Sequence, residues 1–352
     1  MSYEVGMKIM NLEPTERVGR IEYLEHDDFV RAMTGIKFDS ANFEDRESAY
    51  HKFYNVMDYD LRFHVNDGSV PWNKRGRVTE MGHAVYMQHG VDFIDNRSEG
   101  FKNVDDVLNF DAAEEYGLPD AASERIFYQG RCDQWKKVCP NMILPGGYYK
   151  SIISGAIQSF GWDMLLQALG TDAKRFGEYV LEGFFKLTLE YVKIWAQTDI
   201  KVFIQHDDMV WTEGPFYNPQ WYRQYLFPRY KKLWEPLRKK GIKVLFCSDG
   251  TYTEFVDDIA SAGADGFILE PTTSLEYIAE KYGKTHVLVG NADCRILTFG
   301  NKADIRKEVE RCMRVGKPCP GFMMAVGNHI PANIPIDNVR YYFESVDELG
   351  KR

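Results

Sequence analysis

Reactive side chains stand at the ends of five apolar runs in this sequence of 352 residues. The clearest run begins at Lys243 and stops abruptly at a thiol, a carboxylate and a glycine, Cys247, Asp249 and Gly250. The other runs end in His206-Asp207-Asp208, Glu270, Asn291 and Gly327-Asn328-His329. Parallel strands of an α/β barrel bring reactive groups to one rim in this way, so the pattern is typical of an enzyme.

The residue types at these ends are suitable for a metal site. Cys247 and Asp249 are two residues apart, and residues at i and i+2 of a strand face the same side. A thiolate and a carboxylate suit zinc, and a catalytic zinc keeps three protein ligands and one open position. We therefore predict a zinc site among Cys247, Asp249, Glu270 and His329. The alternative is that Cys247 is a buried apolar thiol and Asp249 caps the next helix.

Three ionisable residues in a row, His206, Asp207 and Asp208, close the strand before this one. Such a cluster can orient a substrate, hold a metal or act as a general acid, and burial beside like charges would raise a carboxyl pKa. The alternative is a solvated loop in which one carboxylate caps a helix. His329 lies in a loop restricted by two prolines. The alternative to a catalytic role for His329 is a hydrogen bond from its side chain to the loop itself. We predict that these four residues and Asp249 are catalytic.

Aromatic residues make up 14% of the chain, and much of this content belongs to the core. Trp211 and Phe216, however, follow the end of a strand, where a flat apolar substrate could stack. Polar residues of the strand ends could complete such a pocket. We predict substrate contacts at Tyr148, Trp211, Phe216, Asn291 and Asn328.

The composition restricts the class of protein. The formal net charge is −9 and no basic block stands out, so nucleic acid is not an expected partner. The first residues lack the apolar core of a signal peptide, and no run approaches the length of a membrane span. Six cysteines without such a signal suggest reduced thiols and a cytoplasmic protein. The oligomeric state is left open, a homodimer included.

From about residue 140 the sequence alternates strand and helix, which indicates right-handed βαβ crossovers and a parallel sheet. Helices are predicted from Asn218 to Gly241 with breaks at Pro228 or Pro236, from Ser274 to Tyr282 and from Pro335 to Leu349. Arg20 to Leu24 is the candidate first strand, and residues 60–105 are predicted to form an insertion over the barrel mouth. We therefore predict a single α/β domain over residues 1–352, a (β/α)8 TIM barrel with its strand ends on one rim.

The stretches from Asn11 to Arg17 and from Asn328 to Pro335 resemble the uroporphyrinogen decarboxylase superfamily, and the resemblance extends over nearly the full length. It implies a single (β/α)8 barrel with its site at the C-terminal ends of the strands. The superfamily contains porphyrinogen decarboxylases and corrinoid-dependent methyltransferases. The decarboxylases carry an arginine-rich signature after the first strand, whereas the stretch from Arg20 to Asp28 has no arginine beyond its start. A porphyrinogen substrate is therefore disfavoured, and the acidic chain would also repel it.

Methyltransferases of this superfamily that act on thiols bind zinc through a His-x-Cys-Gly motif and a later Gly-Cys-Gly-Ile-Pro motif. The corresponding positions here run from Cys247 to Gly250 and from Gly327 to Pro331, so the ligand types differ and a thiol acceptor is disfavoured. The pair is similar to the first methyltransferase component of anaerobic O-demethylases. This resemblance implies transfer of a methyl group from an aryl methyl ether to cobalt(I) of a separate corrinoid protein, with zinc as a candidate cofactor.

Two other functions stay open. A decarboxylase acting on a small carboxylate or a porphyrinogen on the same barrel is the alternative, and a non-catalytic corrinoid-binding scaffold is the third hypothesis. A corrinoid carried by a partner protein must reach the methyl group, so the barrel rim is also expected to be a docking surface. We predict that the segment from Asn66 to Arg77 forms part of that contact.

Overall fold

A computed structural model describes residues 2–65, 68–70, 85–87, 90–92 and 101–352. The strands are β1 (Gly19–Arg20), β2 (Leu24–Glu25), β3 (Val85–Met87), β4 (Gly90–Asp92), β5 (Gly146–Tyr148), β6 (Val202–His206), β7 (Lys243–Cys247), β8 (Gly266–Ile268), β9 (Val287–Val289), β10 (Phe322–Met324) and β11 (Ile330–Pro331). Seven of them form one parallel sheet in the order β1-β10-β9-β8-β7-β6-β5. This order is that of a barrel wall with each strand beside its neighbour in sequence.

A short segment closes the sheet into a barrel between β1 and β5. The Asp60 amide donates to the carbonyl of Arg20 at 3.0 Å on one side. On the other side the Arg62 amide donates to Ile143 at 3.0 Å, and the Ile143 amide donates back to Asp60 at 2.9 Å. Residues 60–62 therefore occupy the eighth strand position, and the predicted (β/α)8 barrel is confirmed.

The α-helices surround this wall. They are α1 (Ser2–Met10), α2 (Asp27–Thr34), α3 (Phe43–Met57), α4 (Val104–Leu108), α5 (Ala112–Tyr116), α6 (Ala121–Val138), α7 (Ile152–Arg175), α8 (Leu181–Trp195), α9 (Pro219–Tyr225), α10 (Phe227–Lys239), α11 (Val256–Ala262), α12 (Leu275–Tyr282), α13 (Cys294–Phe299), α14 (Lys302–Gly316) and α15 (Ile336–Leu349). A π-helical turn, Phe176–Val180, joins α7 to α8. Within the described residues no helix combines the length and apolar character needed to cross a membrane.

The alternation of side chains along the strands decides which residues face the barrel axis. Val202 and Ile204 of β6 and Leu245 and Cys247 of β7 pack together in the interior cluster. The intervening Phe203, Val244 and Phe246 pack outward in the larger cluster beneath the helices. Continuing the same period of two past the strand ends places residues 206, 208 and 249 on the inner side. Only the polar residues at every second position past the strand ends therefore face the barrel axis.

The predicted helices occur close to their expected bounds. The chain from Asn218 divides at Leu226 into α9 and α10, as Pro228 suggested, whereas Pro236 is accommodated inside α10. The Ser274 side chain accepts a hydrogen bond from Tyr277 and so caps α12, which ends at Gly283. These boundaries follow from local capping and proline effects, which the sequence reports directly.

The N-terminal third differs from the prediction in two respects. The first barrel strand covers only Gly19–Arg20, and Leu24–Glu25 pairs instead with Ile330–Pro331 in a separate sheet, so the predicted end at Leu24 is wrong. Residues 60–62 belong to the barrel and not to an insertion over it. Of the remaining predicted insertion, β3 and β4 form an antiparallel pair. Most of the predicted docking segment from Asn66 to Arg77 lies outside the described residues.

Candidate active site

A narrow cavity opens at the C-terminal ends of the barrel strands, with a volume of about 40 Å³. We call it the central cavity. Its lining comprises Ile21, Glu22, Tyr23, Phe63, Tyr149, His206, Cys247, Ser248, Asp249, Ile268, Leu269, Glu270, Val289, Ala325, Val326 and Asn328. Four of the predicted site residues, His206, Cys247, Asp249 and Glu270, are therefore together, and Asn328 joins them.

His206 is fixed by contacts on two sides of its ring. Nδ1 lies 2.8 Å from the Tyr149 carbonyl oxygen, which can only accept, so Nδ1 carries a proton. The Tyr149 ring stacks on the imidazole with centroids 4.1 Å apart. Nε2 points to Asp208, 3.1 Å from Oδ1. Burial alone would lower the pKa of His206, but the charge and hydrogen bond of Asp208 and the charge of Asp249 raise it to about 9.

Asp249 extends the inner face of β7 into the central cavity. Its backbone amide donates to Asp208 Oδ1 at 3.0 Å, which ties the two strand ends together. Burial, followed by the charges of Asp208 and Glu270, raises the pKa of the Asp249 carboxyl well above its usual value. The predicted capping alternative is not observed: the following 3-10 turn starts at Thr253 and receives no side-chain cap. The Asp249 carboxyl is thus available for a ligand.

His206, Asp208 and Asp249 offer one nitrogen and two oxygens that all lie within 4.8 Å of one another. An imidazole with carboxylates is a suitable donor set for zinc. The hydrogen bond from Nδ1 to a backbone carbonyl is the arrangement that orients metal-binding histidines and leaves Nε2 free to coordinate. The described residues therefore contain a candidate metal site, of which the sequence predicted Asp249.

The other predicted ligands have different surroundings. Cys247 lines the central cavity, and burial and the nearby charges of Asp249, Asp208 and Glu270 raise the pKa of its thiol. Glu270 accepts hydrogen bonds from the Gly250 amide at 2.7 Å and from Asn328 Nδ2 at 3.0 Å. These bonds connect the β7, β8 and β10 ends and hold the Glu270 carboxylate at the cavity wall.

His329 lies beside the central cavity but outside its lining and outside the three-residue cluster. It is 2% exposed, its Nδ1 bonds with the Asn328 side-chain oxygen, and its ring centroid lies 5.7 Å from that of Tyr23. These contacts stabilise the loop that carries Asn328. They agree with the predicted alternative in which the histidine holds its own loop.

Asp207 faces away from the cavity, because it occupies the odd position between two inward residues. Its carboxylate accepts hydrogen bonds from the Ser154 amide at 2.7 Å and the Tyr230 hydroxyl at 2.6 Å. Burial raises the pKa of Asp207 to about 6, against the effect of these bonds. The structure thus splits the predicted trio, bringing His206 and Asp208 to the site and Asp207 to the helix interface.

The predicted substrate contacts also separate. Tyr148 is fully buried and stacks on Tyr191, whereas the next residue, Tyr149, lines the cavity. Trp211 and Phe216 pack against Trp162, with centroids 5.6 and 5.3 Å away, outside the cavity lining.

Asn291 lies outside the cavity lining and holds the backbone of the cavity wall by hydrogen bonds. Its Nδ2 donates to the carbonyl oxygens of Glu270 at 3.2 Å and Thr273 at 3.1 Å. Asn328 is therefore the one of the five predicted substrate contacts that reaches the central cavity.

Glu22 is a cavity residue that the sequence prediction missed. Its carboxyl accepts hydrogen bonds from the Val326 amide at 2.9 Å and from the Tyr342 hydroxyl. Burial raises the pKa of Glu22 to about 8, although both bonds oppose the shift. An ionisable residue between the apolar Ile21 and the aromatic Tyr23 was the available signal, because buried carboxylates are rare without a partner or a role.

Gly250 positions the Asp249 loop, and a side chain there should disrupt it. Its φ is +80°, and an added Cβ would lie 2.5 Å from the Trp211 carbonyl oxygen. We expect Gly250→Ala to lower the free energy of unfolding by about 1–3 kcal/mol and to weaken metal binding. Urea unfolding and metal titration measure both. Gly170→Ala is the control, since a Cβ there meets nothing within 4 Å and should be neutral or stabilising. Equal stability of the two variants would contradict the expectation.

Known proteins share both sequence and fold with this chain. A decarboxylase from Thermus thermophilus, named uroporphyrinogen decarboxylase, is 32% identical over 133 residues, and one from Carboxydothermus hydrogenoformans is 26% identical over 133 residues. These segments cover 38% of this chain, and the match spans only 38% and 37% of the two relatives. A solved methyltransferase from Methanosarcina mazei superposes with a TM-score of 0.70 at 16% identity, covering 99% of this chain and 98% of that one, which shows the shared fold.

The family model described as uroporphyrinogen decarboxylase (URO-D) matches residues 159–349. The matched region includes β6 to β10 and thus the strand ends that carry His206, Asp208, Asp249 and Glu270. It covers more than half of the chain, so this protein belongs to the uroporphyrinogen decarboxylase family.

Proposed function

We propose that this protein is a methyltransferase that moves a methyl group from a small donor, an aryl methyl ether, to the cobalt of a corrinoid protein. The observation that carries the proposal is the cluster of His206, Asp208 and Asp249 at the wall of a cavity of only about 40 Å³. The cluster and the cavity together offer a small donor a place where a leaving oxygen could be stabilised. The motifs at Cys247 to Gly250 and Gly327 to Pro331 support the same class of reaction.

The chemical task is to help an oxygen leave. Cobalt(I) attacks the methyl carbon, the carbon–oxygen bond breaks, and its electron pair stays on the aryl oxygen as a phenolate, which must be stabilised or protonated. A zinc ion held by Asp249 with His206 and Asp208 would supply Lewis-acid stabilisation of that oxygen. Cys247 and Glu270 line the same space and stay candidate ligands. His329 stays a predicted catalytic residue and metal ligand, although it lies outside the three-residue cluster and outside the lining of the central cavity.

His206 itself can serve the leaving oxygen. With a pKa of about 9 it is protonated at neutral pH, and its Nε2–H faces the cavity beside Asp208. In the absence of a metal this group donates a hydrogen bond or a proton to the phenolate. Coordination of a metal through Nε2 would displace that proton, so the two roles exclude each other. Asp207 supports either role only indirectly, because it fixes the backbone next to His206.

The alternative is a decarboxylase, which the names of the sequence relatives favour. The wall of the central cavity, however, bears the carboxyl groups of Glu22, Asp249 and Glu270, with Asp208 adjacent. Among the described residues no arginine lines that cavity, so the acidic substituents of a porphyrinogen would find no guanidinium partner there. If the protein is a decarboxylase, a small carboxylate is a better candidate substrate than a porphyrinogen.

A spectroscopic assay separates the functions. We expect the purified protein, mixed with a cobalt(I) corrinoid carrier protein and a methoxyarene, to convert the cobalt(I) spectrum to that of methylcobalt(III) and to release the phenol. Carbon dioxide is measured in parallel, with and without corrinoid. Corrinoid-independent carbon dioxide release would establish the decarboxylase instead, and carrier binding without any turnover would establish a scaffold.

The carrier itself must dock at the barrel rim. The segment from Asn66 to Arg77 and the arrangement of the protein as a homodimer stay predictions, which charge reversal in the segment and measurement of the oligomeric state would test.

A further inference from the structure

A guanidinium from the outer layer of helices reaches the backbone of the cavity wall. Arg311 lies on α14, and its Nη2 is 3.1 Å from the carbonyl oxygen of Asn291 and 3.0 Å from the Asn291 side-chain oxygen. Because a guanidinium can only donate, the side-chain oxygen of Asn291 must be the end that faces Arg311. The Nδ2 of the same amide is then left to donate to Glu270 and Thr273. Arg311 thus determines which end of the amide is presented to the cavity wall.

Arg311 is itself held in one orientation by Glu308, one helical turn earlier on α14. The Nε of Arg311 donates to Glu308 Oε2 at 3.0 Å, and Nη2 donates to Oε1 at 2.7 Å. Paired, charge-assisted hydrogen bonds of this kind fix the plane of a guanidinium. Glu308 is only 7% exposed, and its Oε1 also accepts a hydrogen bond from the Asp293 amide at 3.0 Å. The ion pair is therefore anchored to the chain just after Asn291.

The residues that Asn291 holds are joined in turn to the loop that follows Asp249. The Thr273 hydroxyl donates to the Gly250 carbonyl oxygen at 2.9 Å and accepts from the Tyr252 amide at 3.1 Å. Asn291 and Thr273 are both almost fully buried, so a hydrogen bond lost here would leave an unsatisfied polar group. Asn291 is therefore linked through Thr273 to the loop that carries Asp249.

We infer that Arg311 is a positioning residue, which acts through the Asn291 amide to hold the Asp249 loop at the spacing that a metal ion requires. The inference rests on the proposed function, because the metal ion of that proposal would bind at this loop. Arg311 lies outside the lining of the central cavity, so it acts on the site through other residues. A lysine would keep the charge beside Glu308, but its ammonium group lacks the planar fork that reaches Glu308 and Asn291 together. Residues that orient metal ligands typically contribute about 10- to 100-fold to metal affinity.

The zinc affinity of the folded protein tests this inference without any turnover. Competition with a fluorescent chelator measures the affinity, and the melting temperature of each preparation is recorded. We expect Arg311→Met and Arg311→Lys each to weaken zinc binding at least about tenfold. Should Arg311→Met fail to fold, Arg311→Lys, which keeps a positive charge beside Glu308, decides the question.

Arg306→Met is the matched control. Arg306 lies on the same helix, and its side chain is 28% exposed, as is that of Arg311. It also binds a carboxylate through two hydrogen bonds, at 2.6 and 2.9 Å, but this carboxylate belongs to Glu348 at the surface. Arg306→Met should therefore bind zinc like the wild-type protein, and an equal loss of affinity in both methionine variants would overturn the inference.

A double-variant cycle tests the route through Asn291. Asn291→Ala should weaken zinc binding on its own. In that background Arg311→Met should change the zinc affinity by less than about twofold, because the two residues act as one unit. A full loss of affinity on adding Arg311→Met to Asn291→Ala would show that Arg311 does not act through this amide.

The outcomes distinguish a failed inference from a failed function. Lower melting temperatures of the Arg311 variants with unchanged zinc affinity would make Arg311 merely structural, while the methyltransferase would stand. Wild-type protein that transfers methyl groups but binds no zinc would likewise overturn the inference alone. Arg311-dependent zinc binding without methyl transfer to cobalt would support the inference and overturn the proposed function. Absence of both zinc binding and methyl transfer would overturn both.

Discussion

Asp249→Asn should reduce methyl transfer at least about 10²-fold while the protein stays folded. The variant lacks the carboxylate that would hold the metal ion beside the leaving oxygen, so that oxygen would be stabilised less. Stability should stay the same or rise. The Asp249 side chain is partly buried beside Asp208 and Glu270, whose charges oppose its ionisation, and within the described residues it receives no hydrogen bond. A neutral amide of the same shape removes that repulsion.

The measurements are the methyl-transfer rate, the bound metal and the melting temperature of the same preparations. Asp337→Asn, in the first turn of α15 with a side chain 82% exposed, is the matched control and should change none of them. His329→Ala, tested alongside, decides whether the predicted role of that histidine extends beyond its loop. A normal rate in Asp249→Asn would exclude the site, and a large fall in melting temperature would indicate a structural role.

Glu22→Gln should remove a pH dependence of stability. The pKa of Glu22 is about 8 in the folded protein, against an ordinary value of 4.5, so the folded state holds a proton that the unfolded state releases earlier. This group stabilises the protein fully below about pH 4.5, and the contribution is lost as the pH rises through 8. The loss amounts to at most about 5 kcal/mol. Glutamine keeps an acceptor for Val326 or Tyr342 and does not ionise.

Urea unfolding of both proteins between pH 5 and 9 measures this difference. We expect the variant to gain stability over the wild-type protein progressively across that range. Glu280→Gln, at an exposed position of α12, serves as the control with a flat difference. A constant difference between Glu22→Gln and the wild-type protein would show that Glu22 is ionised in the folded state at all these values.

The sequence predicted the convergence of His206, Asp208, Cys247, Asp249 and Glu270 because each follows an apolar run. The two-residue period of strands then determines which polar residues share a face. The same period could have excluded Asp207, which stands between two inward positions. A run of charged residues does not show where the strand ends, however. The sequence alone therefore did not show which of the three residues continue the inward-facing positions of the strand.

Other parts of the site could not be predicted from local pattern. Residues 60–62 form a barrel strand held mainly by two backbone neighbours, and the stretch of Asp60, Leu61 and Arg62 contains a single apolar residue. The alternation of Leu61, Phe63 and Val65 with polar residues is compatible with a strand, but the stretch lacks the apolar run that marked the other strands. Phe63 was therefore not assigned to the site. The distinction between Tyr148 and Tyr149 depends on one residue of register in β5, which pairing with β6 decides.

Closure of the barrel has a consequence for how the protein is made. Gly19 of β1 pairs with Met323 of β10, so the ring cannot close until nearly the whole chain has left the ribosome. Until then the apolar side chains of Ile9 and Ile21, buried in the finished barrel, have no β10 to pack against. The nascent N-terminal segment therefore has to remain unaggregated while the other strands are synthesised.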